Sequence, residues 1–393
     1  MKVLMINVVC GIRSTGRICT DLAEALSKEG HEVKIAYGRE HVPEQYQKYA
    51  IRIGTDWDVR IHGGRARLFD QSGFGSVKAT KRFIEWIREF DPDIIHLHNI
   101  HGYYLNVAIL FEYLKQSGKR ILWTLHDCWA FTGHAAYCEA AACEKWKSGC
   151  HDCPNLAEYP ASIIDRSRSN WLKKRIIFTG VPNMSLITPS RWLKGLVEGS
   201  FLRDYPVRVI YNGIDTGAFF PSSQEEREKT RSELGVKDGR LLLGVAAVWD
   251  KRKGLEDLIS LGRHTQGKIV IVGVTEKQKQ ALPREITGIT RTNNVEELRR
   301  LYAAADVFVN PTYEDNFPTT NIEALACGTP SITYNTGGSP EGAVKTVSKG
   351  DWRALESDIA ISRQECVERS SAFTRESMWK QYRTLYREIK EEQ

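Results

Sequence analysis

Short apolar runs alternate with stretches of helical spacing along the whole chain. Val3-Leu4-Met5-Ile6 is an unbroken apolar run, the pattern of a strand covered on both faces. A glycine-bearing loop, Gly11 to Arg17, follows it. Ile18, Leu22, Ala25 and Leu26 then recur at helical spacing, Gly30 closes the helix, and Glu32-Val33-Lys34-Ile35 opens the next strand. This is one βαβ unit. Strands are predicted again over 94–97, 121–124, 185–188 and 207–210. A looser, charged stretch over 219–231 reads as a linker with a surface helix.

A second series begins after the linker, with strands predicted over 241–245, 268–273, 286–289, 306–309 and 330–333. The alternation predicts α/β domains, each a doubly wound parallel sheet with helices on both faces. The expected divisions are a first domain over 1–216, a second over 217–374, and a final helix over 375–393 packing back on the first. That helix is predicted to run to about residue 392. It carries Trp379, Tyr382, Leu385 and Ile389 at amphipathic spacing. Ligands of doubly wound sheets bind beyond the carboxyl ends of the strands. The residues just after each strand are therefore the ones that can form a site.

Length and composition fit this picture. The 393 residues suit two domains, and 41% hydrophobic with 26% charged residues argues against disorder. No apolar run approaches the ~18–20 residues that span a bilayer. The first residues lack the basic segment of an export signal, so a cytoplasmic protein is expected, with contact at the inner face of the membrane. The net charge of +6 lies mainly in the first half: residues 1–185 carry 25 Lys+Arg against 20 Asp+Glu, and residues 186–393 carry 30 against 29. A basic first half suits an anionic acceptor or a membrane surface, or is ordinary solvated charge. The stretch 165–178 holds Arg166, Arg168, Trp171, Lys173, Lys174 and Arg175. It reads as a helix resting on an anionic bilayer, or as a solvated helix with Trp171 in the core. No basic aromatic platform suggests a nucleic-acid partner.

The most informative segment is NPTYEDNFPTTNIEALACGTP, residues 310–330. A strand ends at Asn310, a polar turn follows, and a helix opens near Thr319-Thr320. The bare N–H groups and positive dipole end of a helix start suit a diphosphate. Asn316, Phe317, Thr319 and Thr320 are the candidates to cradle it. Glu323 lies one turn in, where a carboxylate can accept hydrogen bonds from a ribose diol. A capped helix start with no ligand is the plainer alternative. Phosphates also need cations, and Asp250-Lys251-Arg252-Lys253-Gly254 follows the first strand of the second series.

These blocks, in order, resemble glycosyltransferase family 4, of the two-domain GT-B fold, over nearly the whole chain. The family carries two acidic residues eight positions apart, the second heading EAxAxGxP. Here the second is Glu323, and the first position holds Asp315 where Glu is usual, with Glu314 beside it. Thr188-Pro189-Ser190-Arg191-Trp192-Leu193 resembles the family's TxSxWL. Val209 to Asp215, with Phe219 and Pro221, resembles its VIxNGIDxxxFxP connector. Gly337-Gly338-Ser339-Pro340-Glu341 resembles its GGxPE loop. The family's RLxxxKG finds its Lys at Lys253, while the Arg position falls on Val248, and Arg252 is the candidate replacement.

The resemblance implies two facing Rossmann-like domains with an interdomain cleft. It implies a retaining transferase moving a sugar from a nucleotide-sugar donor, a UDP-sugar ahead of a GDP-sugar. The acceptor would be a glycan or polyprenyl-linked glycan in bacterial surface-polysaccharide synthesis. By the same resemblance Asp315 and Glu341 lie by the donor sugar and Glu323 binds the ribose. Lys253 and Arg252 hold the diphosphate. Gly16 presents backbone to the donor phosphates with Arg17 beside it, and His126, in a His-Asp pair with Asp127, bonds the sugar. His126, Asp315 and Lys253 would be the catalytic set, with His98, Asn99 and Asp127 toward the acceptor. No catalytic metal is expected. Asp91-Pro92-Asp93 has the letters of a metal-binding DxD but precedes its strand. A nucleotide-sugar-binding protein without turnover, suggested by the departures at Asp315 and Val248, and a GT-B epimerase or phosphorylase are the rival readings.

Nine cysteines occur, five of them between Cys128 and Cys153. They mark an insertion of about 128–160, of a kind that resembles one in a bacterial subset of family 4. Cys150-His151-Asp152-Cys153 is a CxxC, with Cys138 and Cys143 upstream. Four thiolates can close a structural zinc site; reduced packing thiols and redox chemistry are the alternatives.

Overall fold

The computed structural model describes residues 1–236 and 238–391, and the chain divides into two compact units. The first comprises Met1–Ile210 together with the chain from Gln381 onward; the second is Tyr211–Lys380. The expected end of the last helix at residue 392 lies outside the described residues.

The first unit holds seven strands: β1 (Lys2–Ile6), β2 (Glu32–Tyr37), β3 (Ala50–Arg52), β4 (Ile94–Leu97), β5 (Arg120–Thr124), β6 (Met184–Thr188) and β7 (Val207–Val209). They pair in parallel in the order β3-β2-β1-β4-β5-β6-β7. Val3 to Ile6 are fully buried, as an apolar run covered by helices on both faces requires. Between β1 and β4 the strand order reverses, which leaves a crevice beyond their carboxyl ends. Phe111, Trp123 and Phe178 pack ring to ring on one face of this sheet. The last helix, Arg375–Glu391, brings Tyr382 and Tyr386 onto β4 and β5. Tyr386 shares a 2.6 Å hydrogen bond with His96 Nδ1, and Tyr382 meets Thr124 Oγ1 at 3.0 Å.

The second unit holds six parallel strands: β8 (Leu241–Val245), β9 (Lys268–Val272), β10 (Ile286–Ile289), β11 (Val307–Asn310), β12 (Ser331–Tyr334) and β13 (Lys345–Val347), ordered β10-β9-β8-β11-β12-β13. Side chains alternate between two cores. Leu242, Ile269, Ile271, Val307 and Val309 face one, and Leu241, Leu243, Val270, Val272 and Phe308 the other. The order reverses between β8 and β11.

The division falls at 210/211 rather than at 216/217, and a long-range pairing explains it. Ile214 N–H donates to Phe373 O at 3.0 Å, and Arg375 N–H donates to Ile214 O at 2.8 Å. Ile214 is buried with Phe317, Ile322 and Leu325. The connector and the start of the last helix therefore belong to the second unit.

His62, in the helix Asp56–Phe69, shows how tightly the first unit fixes a proton. Its Nε2 accepts from the amides of Gly73 (3.2 Å) and Gly75 (3.0 Å), and its Nδ1 meets Ser76 Oγ at 2.9 Å. Burial pulls its pKa from 6.5 down to about 4. The folded value lies below the unfolded one, so this stability is complete above about pH 6.5 and is lost as pH falls toward 4. Thermal melts across that window should show a falling Tm. His62→Gln should flatten the fall while lowering Tm at pH 7; an unchanged slope contradicts the assignment.

Candidate active site

In the second unit, three loops leave the carboxyl ends of neighbouring strands: 246–254 after β8, 311–318 after β11 and 335–342 after β12. The backbone ties them together. Tyr313 N–H donates to Arg252 O at 2.8 Å, Thr336 Oγ1 donates to Thr312 O at 2.7 Å, and Gly338 N–H donates to Asp315 O at 3.0 Å. Two glycines permit this approach. Gly254 (φ 73°) and Gly337 (φ 57°) lie in the left-handed region, and a Cβ on either would stand 2.2 Å from Pro311 O or 2.1 Å from Asp315 O.

On this frame Lys253 Nζ forms an ion pair with Asp315 Oδ2, both side chains mostly buried at 19% and 15% exposed. Arg252 Nη1 donates to the Glu314 carbonyl at 2.8 Å. Val248 is 65% exposed. The helix Thr319–Ala326 opens as expected. Pro318 sits at its N-cap, no side chain caps it, and its first turn carries no acid. Such a start leaves amides and a positive dipole end for an anion. Glu323, one turn in, accepts from the Tyr302 hydroxyl at 3.0 Å and meets Thr319 Oγ1 at 3.4 Å. Glu341 Oε2 accepts from the Tyr211 hydroxyl at 2.8 Å. Asn316 is buried. Phe317 is buried against Tyr211 and Phe373, so its ring is part of the core and only its backbone remains for a ligand.

In the first unit, histidines gather past β4 and β5. His98 Nδ1 and His126 Nε2 share a 3.1 Å hydrogen bond. Burial pushes His126 down to about 4, against the upward pull of Asp127, and pushes His98 well below the usual range. Both are neutral at pH 7. His98 is 1% exposed and its Nε2 has no hydrogen-bond partner among the described residues. Asn99 N–H donates to Asn7 Oδ1 at 3.2 Å. Asp127 is paired with His101 at 2.9 Å, and His101 reaches the Tyr159 hydroxyl at 3.0 Å. Burial pushes the Asp127 carboxyl up, but His101 and the Trp129 amide outweigh it and leave it below the usual range. His101 is not among the sequence candidates; its signal is the run His96, His98, His101, which begins in β4 and continues just past its end.

Two expectations need correction, for Gly16 and for the four cysteines, and one open alternative, for Trp171, is decided. Gly16 lies inside the helix Arg13–Lys28, buried in its first turns, and the loop proper ends at Ile12; Arg17 is exposed on that helix. Trp171 is buried and donates to Trp146 O at 2.9 Å, and Lys174 is buried on the carbonyls of Trp129 and Thr132. The helix Ser167–Phe178 thus follows the second of its two expected readings, with Trp171 in the core and Lys174 turned inward beside it. Cys138, Cys143, Cys150 and Cys153 line one small cavity, yet no three His, Cys, Asp or Glu among the described residues stand gathered to hold a metal ion. Asp91 and Asp93 sit where β4 begins: Asp93 accepts from the Lys2 amide at 2.7 Å, and Asp91 pairs with Lys119.

Comparison with known proteins places this arrangement. A family model described as Glycosyltransferase Family 4 matches residues 15–218, and one described as Glycosyl transferases group 1 matches residues 226–356. The chain belongs to Glycosyltransferase Family 4. It is 26% identical, over 89% of its length and 87% of the other, to an Escherichia coli protein named as the colanic acid biosynthesis glycosyl transferase WcaC. It is 29% identical to the D-inositol 3-phosphate glycosyltransferase of Corynebacterium jeikeium over 40% of this chain and 42% of that one. Among solved structures, sucrose-phosphate synthase from Thermosynechococcus elongatus aligns over 100% of both chains with a TM-score of 0.71 at 20% identity. HepE of Anabaena in complex with UDP-glucose aligns over 98% of this chain and 99% of that one, with a TM-score of 0.64 at 15% identity. The fold is that of the GT-B glycosyltransferases.

The contact of Gly337 with Asp315 yields a prediction. Gly337→Ala should cost about 1–3 kcal/mol in urea unfolding, because the residue is both left-handed and in backbone contact. Unfolding at the wild-type midpoint contradicts that packing.

Proposed function

We propose that the chain is a retaining glycosyltransferase that takes its sugar from a nucleotide diphosphate donor, a UDP-sugar first. The observation that carries this is the Lys253–Asp315 ion pair beside the uncapped start of the helix Thr319–Ala326, at the reversal of strand order between β8 and β11. A diphosphate there gains Lys253 and the helix amides, and Glu323 is one turn away for the ribose. The complexes of HepE with UDP and with UDP-glucose support the choice of base. Asp315 holds the Lys253 ammonium in place, so the positive charge is set before the donor arrives. The acceptor hydroxyl attacks the anomeric carbon on the face the leaving group departs from. The bond to the diphosphate breaks and its oxygen takes the proton, so no protein nucleophile and no catalytic metal is needed. In the first unit the neutral His126, held by His98, is assigned to the donor sugar, and Asn99 and Asp127 to the acceptor side.

The likeness to WcaC supports an acceptor in surface-polysaccharide synthesis, a glycan or polyprenyl-linked glycan. Contact with an anionic membrane is assigned to the helix Asp56–Phe69. Trp57, Ile61 and Leu68 stand exposed there beside Arg60, Arg65 and Arg67.

Isothermal titration with UDP should give about ten- to a hundredfold weaker binding for Lys253→Ala and for Glu323→Ala, the loss of one charged hydrogen bond each. Unchanged affinity in either removes its role. NMR of the product should show the donor's anomeric configuration; inversion overturns the mechanism. Nucleotide binding with no release of diphosphate over a broad acceptor panel favours a binding protein without turnover. Cosedimentation should favour anionic over neutral vesicles, and Trp57→Ser should weaken it about tenfold. Equal recovery with both vesicle types contradicts the membrane assignment.

A further inference from the structure

Three loops leave the carboxyl edge of the first sheet and press together. Arg39 follows β2, and its amide donates at 3.0 Å to the carbonyl of Val8, just past β1. A Cβ on Gly38 would stand 2.0 Å from Tyr104 Cβ, so the loop after β2 is backed directly on the loop after β4. In that second loop Tyr103 lies in the left-handed region, at φ 73°, where a bulky side chain is rare. Its carbonyl accepts from Ser76 Oγ at 3.3 Å, and its ring stands edge-on to His62 with centroids 5.9 Å apart. Backbone strain of this kind gathers at ligand-binding positions.

The Tyr103 ring is half-buried, and Tyr159 meets it at 6.2 Å and 60°. Tyr159 is 43% exposed. Its hydroxyl is bonded to His101 Nδ1 at 3.0 Å, and His101 Nε2 meets Asp127 at 2.9 Å. Two partly open rings therefore adjoin Asp127, the group assigned to the acceptor side. His98 and His126 on this edge are neutral, and Arg39 adds the charge they lack. Its guanidinium carbon is 5.8 Å from the centre of the Tyr103 ring. Glu40, next along the chain, is taken by Arg13 at 2.7 Å, and Asp127 by His101. Among the described residues Arg39 forms no ion pair, and neither does Arg67. Burial pushes the Tyr103 hydroxyl up, and both guanidiniums pull against it. A half-buried arginine with no carboxylate leaves its planar fork for an oxyanion from outside.

We propose that Arg39, Tyr103 and Tyr159 form an acceptor subsite for a pyranose that carries an oxyanion, with the sugar ring on the two tyrosines and the oxyanion on the Arg39 guanidinium. The proposal rests on the glycosyltransferase reading and names the chemistry of its acceptor. A tyrosine offers an apolar face to the C–H side of a sugar and a polar tip to its neighbours. The oxyanion is the carboxylate of an acidic sugar or the phosphate that joins the sugar to its carrier; both suit the same fork.

The test uses the full chain and three probes. Methyl glucuronide carries a carboxylate, glucose 1-phosphate a phosphate, and methyl glucoside neither. NMR titrations are run with UDP saturating the donor site, so that no probe is read there. At least one anionic probe should bind about ten- to a hundredfold more tightly than methyl glucoside. The tighter of the two identifies the source of the oxyanion. Arg39→Gln should erase that margin, and Tyr159→Ala should weaken all three probes alike. Equal binding of the three probes to the wild-type chain overturns the proposal without any variant. Binding by none of them, or a margin that survives Arg39→Gln, overturns it as well. A wild-type chain that binds no UDP in calorimetry strikes the donor reading instead, and the same probe series without UDP still decides the subsite.

Discussion

Lys253 and Asp315 stand 62 residues apart and meet because β8 and β11 are neighbours in a parallel sheet. Every strand of that sheet runs the same way, so the loops after β8, β11 and β12 emerge on one edge. The ion pair needs more than adjacency, since the three loops must also touch along their backbones. Gly254 and Gly337 allow that by lacking a Cβ where Pro311 and Asp315 approach. A cation fixed in this way loses little freedom when an anion arrives, which is the physical basis of preorganised charge. Glu323 and the uncapped helix start follow within the same segment, so under the proposed function one stretch of chain would supply both the anion site and the acid for a ribose.

The first unit treats polar groups differently. His62, His96 and His126 are held neutral, the first and third near a pKa of 4 and His96 near 3, with burial as the leading cause in each. Neutral imidazoles can donate and accept in a fixed direction, as the links of His96 to Tyr386 and of His98 to His126 show. A region built this way offers oriented hydrogen bonds with little net charge, which suits sugar hydroxyls better than phosphates.

Local pattern made much of this legible. Apolar runs marked the central strands such as β1, β8 and β9, because helices cover both faces of each sheet. β3 and β13 were missed, each being three residues long at a sheet edge, with too few positions to show a period. Gly16 reads as loop from its neighbours, whereas the helix already begins at Arg13. The helix start near Thr319 and the basic turn 250–254 pointed to the proposed anion site, and the family resemblance singled out Lys253, Asp315 and Glu323. Pairs made only by folding had no local signal: His101 with Asp127, His134 with Asp70 across 64 residues, and Ile214 with Thr374. The domain boundary moved for the same reason.

The proposed function requires a donor diphosphate at the β8/β11 reversal. A crystal structure of the chain with UDP tests it most directly. Phosphate oxygens should lie within hydrogen-bond distance of Lys253 Nζ and the Thr320 amide, with the ribose hydroxyls on Glu323. A nucleotide bound elsewhere, with these three groups pointing away from it, contradicts that placement.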